Sequence, residues 1–302
     1  MMVILWMLTM AGPGFTRSGL RLEHEDFIKP VAVVSAEEPG AFYVLDRGAH
    51  CVHHLKHGAL LHTIGRQGRG PGELVDPIAM GLKDGLIWVY DAGSGKIVSF
   101  ETDGKLHAER KTVRAATASF EEDAIILHTP LASTLYQVID YQGNLQAEFG
   151  RGMQQEVDFQ NLDRFLRVHT RDETYLYSLK VDGSEWVRFS WAEPDRAQSV
   201  RMGFDPSSFS AERKIQATGE NVFTIRNGQP VKAAQIREGI LWVLLENENE
   251  EESSSILGFD AQGRLRHRFP TKSYYQNFII QGSLAYGFNY LDAFIEVLTL
   301  SN

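Results

Sequence analysis

Cysteine is almost absent: Cys51 is the only one in 302 residues. No intrachain disulfide can form, and no cysteine-rich zinc site either. Basic residues are outnumbered, with 30 Lys and Arg against 39 Asp and Glu and a formal charge of -9. A nucleic-acid binder normally carries a basic stripe, so nucleic acid is not an expected partner. Long apolar runs are also scarce. Met2 to Met10 is apolar but falls well short of the ~20 residues a spanning helix needs, and no integral membrane span is expected. The run resembles the apolar region of an export signal, followed by the small residues Ala11 and Gly12. No Lys or Arg precedes it, and Arg17 is the first. The expectation is an exported protein, periplasmic or extracellular, with residues 1–16 as a signal or disordered leader. An N-terminal strand is the competing reading.

Familiar catalytic signatures are missing too. No G-x-S-x-G nucleophile elbow occurs. The glycine-rich stretch Gly65-Arg66-Gln67-Gly68-Arg69-Gly70-Pro71-Gly72 lacks the Lys-Ser/Thr that completes a phosphate loop, and Gly70-Pro71-Gly72 would break any helix it opened. It reads as a connection between two units.

Those two units are what the chain does contain. Ala41-Phe42-Tyr43-Val44-Leu45-Asp46 is matched by Leu86-Ile87-Trp88-Val89-Tyr90-Asp91. Each is followed by a short polar turn, a second strand, a glycine turn and a third strand, and each is preceded by a short apolar run. Four strands repeating every ~40–45 residues predict a β-propeller blade. Asp84-Gly85, Asp103-Gly104 and Asp182-Gly183 supply the positive-φ positions of tight hairpins. Later units are degenerate but countable to six. The sixth lacks an outer strand, and Leu20-Arg21-Leu22-Glu23 is placed to supply it. Closing the ring this way also removes an exposed sheet edge. The predicted fold is all-β: a single six-bladed β-propeller over residues 17–302, with four-stranded antiparallel blades and an N-terminal strand completing the last one. Residues 192–230 break the period and read as an insertion. The acidic run Glu246 to Glu252 reads as a solvated loop in the central hairpin of the fifth blade.

The glycine-rich linker with Asp76-Pro77-Ile78-Ala79, and the Asp-terminated strand Ile87-Trp88-Val89-Tyr90-Asp91 with its spaced Phe100 and Gly104, resemble the NHL-like six-bladed β-propellers. The match is good over residues 31–150 and thin beyond. In particular the chain resembles exported bacterial propellers of unassigned function. The family hosts binding modules, scaffolds, and a few lyases and hydrolases, so the resemblance implies a fold more than an activity. Its enzymes hold a metal on the propeller axis with side chains of the inner strands. Here those strands read VAVV, IAMG, AATA, FLRV, VKAA and FII, apolar or small. Calcium wants several oxygen ligands, and Asp26, Asp76 and Asp163 are scattered. Calcium is therefore conceivable but unsupported, and no cofactor or metal is expected. His50, His53, His54, His57 and His62 read as surface histidines, since neighbours on a strand point to opposite faces.

The remaining candidate is the mouth of the central channel, where inner strands begin. Lys29, Asp76, Arg114, Asn161 and Asn277 fall there, with Arg66, Arg69 and Tyr274 nearby. A polar, partly basic mouth on an acidic protein suits an anionic ligand or a peptide carboxylate. Ligand-binding residues are accordingly assigned as Arg66, Arg69, Asp76, Arg114, Asn161, Tyr274 and Asn277. The expected function is non-enzymatic recognition of a small ligand or protein partner by a monomer. The alternatives are a metal-dependent, lactonase-like hydrolase or lyase, and a structural domain that interacts through the 192–230 insertion.

Overall fold

The computed structural model describes residues 14–129, 132–151, 168–172, 175–179, 185–203, 231–249, 252–271, 273–281 and 284–301. The chain is a six-bladed β-propeller of four-stranded antiparallel sheets. From the axis outward, blade one comprises Pro30–Ser35, Ala41–Asp46, Cys51–Lys56 and Ala59–Ile64. Blade two comprises Pro77–Lys83, Leu86–Asp91, Lys96–Glu101 and Leu106–Lys111. Blades three, four and five follow in the same order, with inner strands Thr117–Phe120, Val168–Arg171 and Val231–Arg237. The last sheet contains Asn277–Gln281, Leu284–Asn289 and Phe294–Ser301, and its outer strand is Gly14–Glu23.

That outer strand runs antiparallel to Phe294–Ser301, with Gly14 opposite Ser301 and Glu23 opposite Phe294. It closes the ring as the sequence predicts, and it begins at Gly14, further back than the four residues first assigned to it. Leu22 is buried with Ile295 and Val297, so the closure has an apolar anchor as well as backbone hydrogen bonds.

Six apolar clusters fill the six joints between neighbouring blades. Tyr43, Val52 and Ile64 meet Met80, Val89 and Phe100 between blades one and two. Tyr286, Phe288 and Ile295 meet Val33, Val44 and Leu55 across the closure. Middle strands are thus buried on both faces, as in Ile125–His128, where all four residues are buried. Outer strands alternate, as in Ala59–Ile64. Continuous apolar runs in middle strands and alternating ones at the rim are what stacked blades require.

Two boundaries differ from the sequence reading. The third inner strand starts at Thr117 rather than Ala115, because Ala115 N–H is held by the Tyr90 hydroxyl at 2.6 Å and stays in the crossing segment. The fourth starts at Val168, while 165–167 lie outside the described residues. Ala197–Arg201 pairs with Glu185–Ser190 as the outer strand of blade four, so this part of the 192–230 stretch belongs to the repeat. Residues 204–230 lie outside the described residues.

The glycine-rich linker is pinned from several sides. Its two short strands, Arg66–Gln67 and Glu73–Leu74, pair in parallel. Gly65 and Gly72 have φ of 76° and 71°, a region that favours glycine. The Glu73 carboxylate accepts from Gly70 N–H at 2.8 Å and Arg66 Nε at 3.0 Å. Gly72 N–H reaches Glu109 at 3.1 Å, and the buried Lys96 ammonium spans Gly70 O and Glu109, each at 3.1 Å. The loop is a joint held by these polar contacts.

Candidate functional site at the channel mouth

The Asp that ends the second strand sets the geometry of the mouth. Asp46 is fully buried. It accepts from the backbone N–H of Ile28 at 2.6 Å and of Lys29, Gly48 and Ala49 at 2.9 Å. Burial alone would raise its carboxyl. The contact with His53 and the N–H donors of Ala49, Ile28 and Lys29 outweigh that and hold it below the ordinary value. Asp91 takes the equivalent place in blade two, accepting from Val75 N–H at 3.1 Å, Asp76 N–H at 2.6 Å and the Ser94 hydroxyl. The recurring Asp therefore ties the end of a second strand to the segment leading into its inner strand. In doing so it delivers Lys29 and Asp76 to the rim.

Because every blade repeats one up-and-down path, all inner strands start at the same end of the axis. The central cavity holds about 930 Å³, within the range of small-molecule sites. Lys29, Arg47, Asp76, Lys232, Gln276, Asn277 and Tyr290 line its strand-start end, and Ser119, Phe120 and Glu121 line the other. Between them the wall is largely apolar, with Val31, Ala79, Met80, Ala233 and Phe278 among its residues.

Polar contacts at the mouth run both between blades and within them. Arg47 of blade one holds Asp76 of blade two with two hydrogen bonds, at 2.5 and 2.9 Å. Lys232 of blade five pairs with Glu246, which also accepts from the Tyr274 hydroxyl at 2.8 Å. Asn277 Nδ2 donates to Val31 O of blade one at 3.3 Å. Tyr290 N–H donates to Gln276 Oε1 at 2.6 Å. Burial pushes the Tyr290 hydroxyl up, with the Asn277 hydrogen bond and the Arg47 charge acting against that shift. The Lys29 ammonium lies 5.7 Å from the Tyr290 ring centroid.

Of the residues predicted for the site, Asp76 and Asn277 line the cavity, and Tyr274 reaches it indirectly through Glu246 and Lys232. Arg66 and Arg69 sit exposed on the linker, Arg66 against Glu73, and neither lines the cavity. Arg114 is exposed beside Gly95 and outside the lining. Asn161 lies outside the described residues, as does Asp163. Sequence reasoning missed Arg47, Lys232, Gln276 and Tyr290. Tyr290 and Arg47 follow second strands, where the signal was the strand-terminal Asn289 and Asp46. Glu246, read as part of a solvated loop, sits in the strand Ile240–Asn249 and is half-buried against Lys232.

The histidines are corrected in part. His53 is buried, with Nε2 at 3.6 Å from Cys51 Sγ and 3.8 Å from Asp46 Oδ2. Its neighbour His54 stacks on Tyr43 at 4.5 Å. Both contacts of His53 use one nitrogen, so the trio lacks the relay in which a base is oriented through its other nitrogen. Burial comes first in pushing the Cys51 thiol up to about 12, helped by Asp46 and Asp26. Among the described residues no three His, Cys, Asp or Glu side chains converge as a metal site.

No family model matches the chain, and no curated protein matches it in sequence. Solved structures do. A member of the DUF4221 family from Bacteroides vulgatus has a TM-score of 0.58 at 10% identity, over 96% of this chain and 98% of that one. A presumed exported protein from Bacteroides fragilis has a TM-score of 0.55 at 14% identity, over 96% and 94%. Virginiamycin B lyase from Staphylococcus aureus has a TM-score of 0.55 at 12% identity, over 95% and 100%. Identities this low speak for a shared fold alone. The chain is a six-bladed β-propeller similar to these structures. No helix among the described residues is long and apolar enough to cross a membrane.

Proposed function

We propose that the protein is a ligand-binding propeller of the NHL-like kind whose site is the strand-start mouth of the central channel. The observation that carries this reading is the cavity itself. Side chains from separate blades, Lys29, Arg47, Asp76, Lys232, Gln276 and Asn277, face one space of about 930 Å³ above an apolar wall. Few convergent polar groups over an apolar lining is the usual composition of a small-molecule site. A binding role is favoured over a metal-dependent hydrolase because, among the described residues, the carboxylates Asp76 and Glu246 at the mouth are each held by a cation, Arg47 and Lys232. The reading takes the protein as a monomer acting outside the cytoplasm. Export is supported by the apolar run from Met2 to Met10 and by the presumed exported protein among the similar structures.

The test is a small-molecule and peptide screen by thermal shift on the wild-type chain and on Ala116→Trp. Ala116 is exposed and lines the cavity, so a tryptophan there fills space without removing a side-chain hydrogen bond. Hits that vanish in the variant support the mouth as the site. Hits that persist, or none at all, overturn it. The same preparations are screened for turnover of lactones, esters and virginiamycin B. Turnover abolished by Ala116→Trp would replace binding with an axial catalytic site.

A further inference from the structure

Among the described residues, two of the three cations that line the mouth are held in ion pairs. Arg47 is matched by Asp76 and Lys232 by Glu246. Lys29 faces the cavity with only the Tyr290 ring beneath it, and among the described residues no carboxylate pairs with it. Among the described residues, Lys29 is then the cavity-lining cation without an ion-pair partner, on a chain whose net charge is -9. Asp292, next along the rim from Leu291, does not line the cavity and accepts from Asn289 Nδ2 at 3.0 Å. Glu121 lines the opposite end.

Large aliphatic residues flank Lys29 and Tyr290 in the chain. Ile28, its chain neighbour, is 62% exposed, and Leu291, the neighbour of Tyr290, is 79% exposed. Both are large aliphatic side chains left in water at the seam between blades one and six. Ile28 is held there because its N–H is bound by Asp46. Its side chain lies against Gly48, where a Cβ would come within 2.6 Å of the isoleucine methyl. The aliphatic group is thus fixed in place one residue before Lys29 in the chain.

We propose that the mouth selects a monocarboxylate carrying an apolar substituent, with the carboxylate on Lys29 and the substituent against Ile28 and Leu291. This rests on the ligand-binding reading given above. One uncompensated lysine matches one negative charge. A dianion such as inorganic phosphate would bring a second charge for which the described lining offers no second cation outside an ion pair. Gln276 adds to the fit: its Oε1 is occupied by Tyr290 N–H, which leaves the amide nitrogen as a donor at the lining.

N-acetylleucine, N-acetylleucinamide and inorganic phosphate serve as probes, measured by ligand-observed NMR and calorimetry at low ionic strength on the full chain. The acid is expected to bind, and its Kd to weaken roughly tenfold in Lys29→Gln, the range typical of losing one charged partner. Lys29→Arg keeps the charge and is expected to retain binding. Circular dichroism and the thermal midpoint confirm that the variants fold. Equal affinity for acid and amide, an unchanged Kd in Lys29→Gln, tighter binding of phosphate, or no binding of the acid at millimolar concentration each overturn the proposal. If the amide binds equally and is lost in Ala116→Trp, the mouth is still a ligand site and only its selectivity has been misassigned. If the acid binds with equal strength in Ala116→Trp, the mouth reading itself fails.

Discussion

Arg47 Nε lies 2.5 Å from Asp76 Oδ1 and Arg47 Nη2 lies 2.9 Å from Asp76 Oδ2, joining blade one to blade two across the channel mouth. The pair is bidentate but its side chains are 39% and 37% exposed, so solvent screens much of the attraction. Arg47→Ala is expected to lower stability by about 0.5–1 kcal/mol, a fall in Tm of roughly 1–3 °C for a chain of this size. Arg47→Lys loses the planar fork and recovers only part of it. Calorimetric melting of the two variants checks this. A loss several times larger would mean the clasp holds more of the ring than its exposure allows.

Asp46 gives a pH dependence of definite sign. Its folded carboxyl is held below the ordinary value, so it contributes stability above the unfolded Asp value of ~3.9 and loses it as pH falls through the lower folded value. Asp46→Asn is expected to be less stable than wild type at neutral pH. The gap between them should narrow as pH falls from about 5 toward 2. Urea midpoints for both proteins across that window decide the matter, and a gap that widens on acidification would contradict the assignment.

Two glycines separate backbone strain from steric contact. Gly263 has φ 79° and Gly85 φ 70°, so alanine is strained at either by about 1 kcal/mol. A Cβ at Gly263 would also meet Arg201 O at 2.2 Å, a backbone atom of the neighbouring blade, whereas nothing lies within 4 Å of one at Gly85. Gly85→Ala should cost only the strain. Gly263→Ala should cost about 1–3 kcal/mol more, the range of overpacking. Equal losses by chemical denaturation would show that the joint between blades four and five yields freely.

Cys51 provides a clean probe of local opening. It is 3% exposed and its thiol is pushed up to about 12. Thiolate is the reactive form, so an aromatic disulfide reagent is expected to leave the native protein unmodified and to label it once urea unfolds blade one. Rapid labelling under native conditions would show that the third strand of blade one is not closed over the thiol.

Much of the fold was legible because a propeller repeats its physics. The Asp-terminated strands ending at Asp46 and Asp91, the glycine turns and the apolar runs recur at a fixed spacing, so counting them gave six blades and the missing outer strand. The boundaries slipped where a tertiary contact moved them, as when the Tyr90 hydroxyl kept Ala115 out of the third inner strand. Glu246 was misread for a similar reason. An acidic run looks solvated in sequence, and only the approach of Lys232 and Tyr274 makes one of its members part of the mouth.

The site was legible only as a region. Asp76 and Asn277 were found because they sit where inner strands begin, a position the repeat marks. Arg66 and Arg69 were placed near the mouth on the same argument. The linker, however, folds back through its parallel pair and its Glu73 and Glu109 bonds, leaving both arginines exposed outside the cavity. Strand period, turn chemistry and strand-terminal Asp residues act over neighbouring positions, so the sequence by itself determined the propeller and its ring closure. Which cations are neutralised depends on side chains that meet across strands and blades, as Lys232 meets Glu246 within blade five and Arg47 meets Asp76 between blades one and two. That is why only the tertiary structure decided that Arg47 and Lys232 are paired and that, among the described residues, Lys29 has no ion-pair partner.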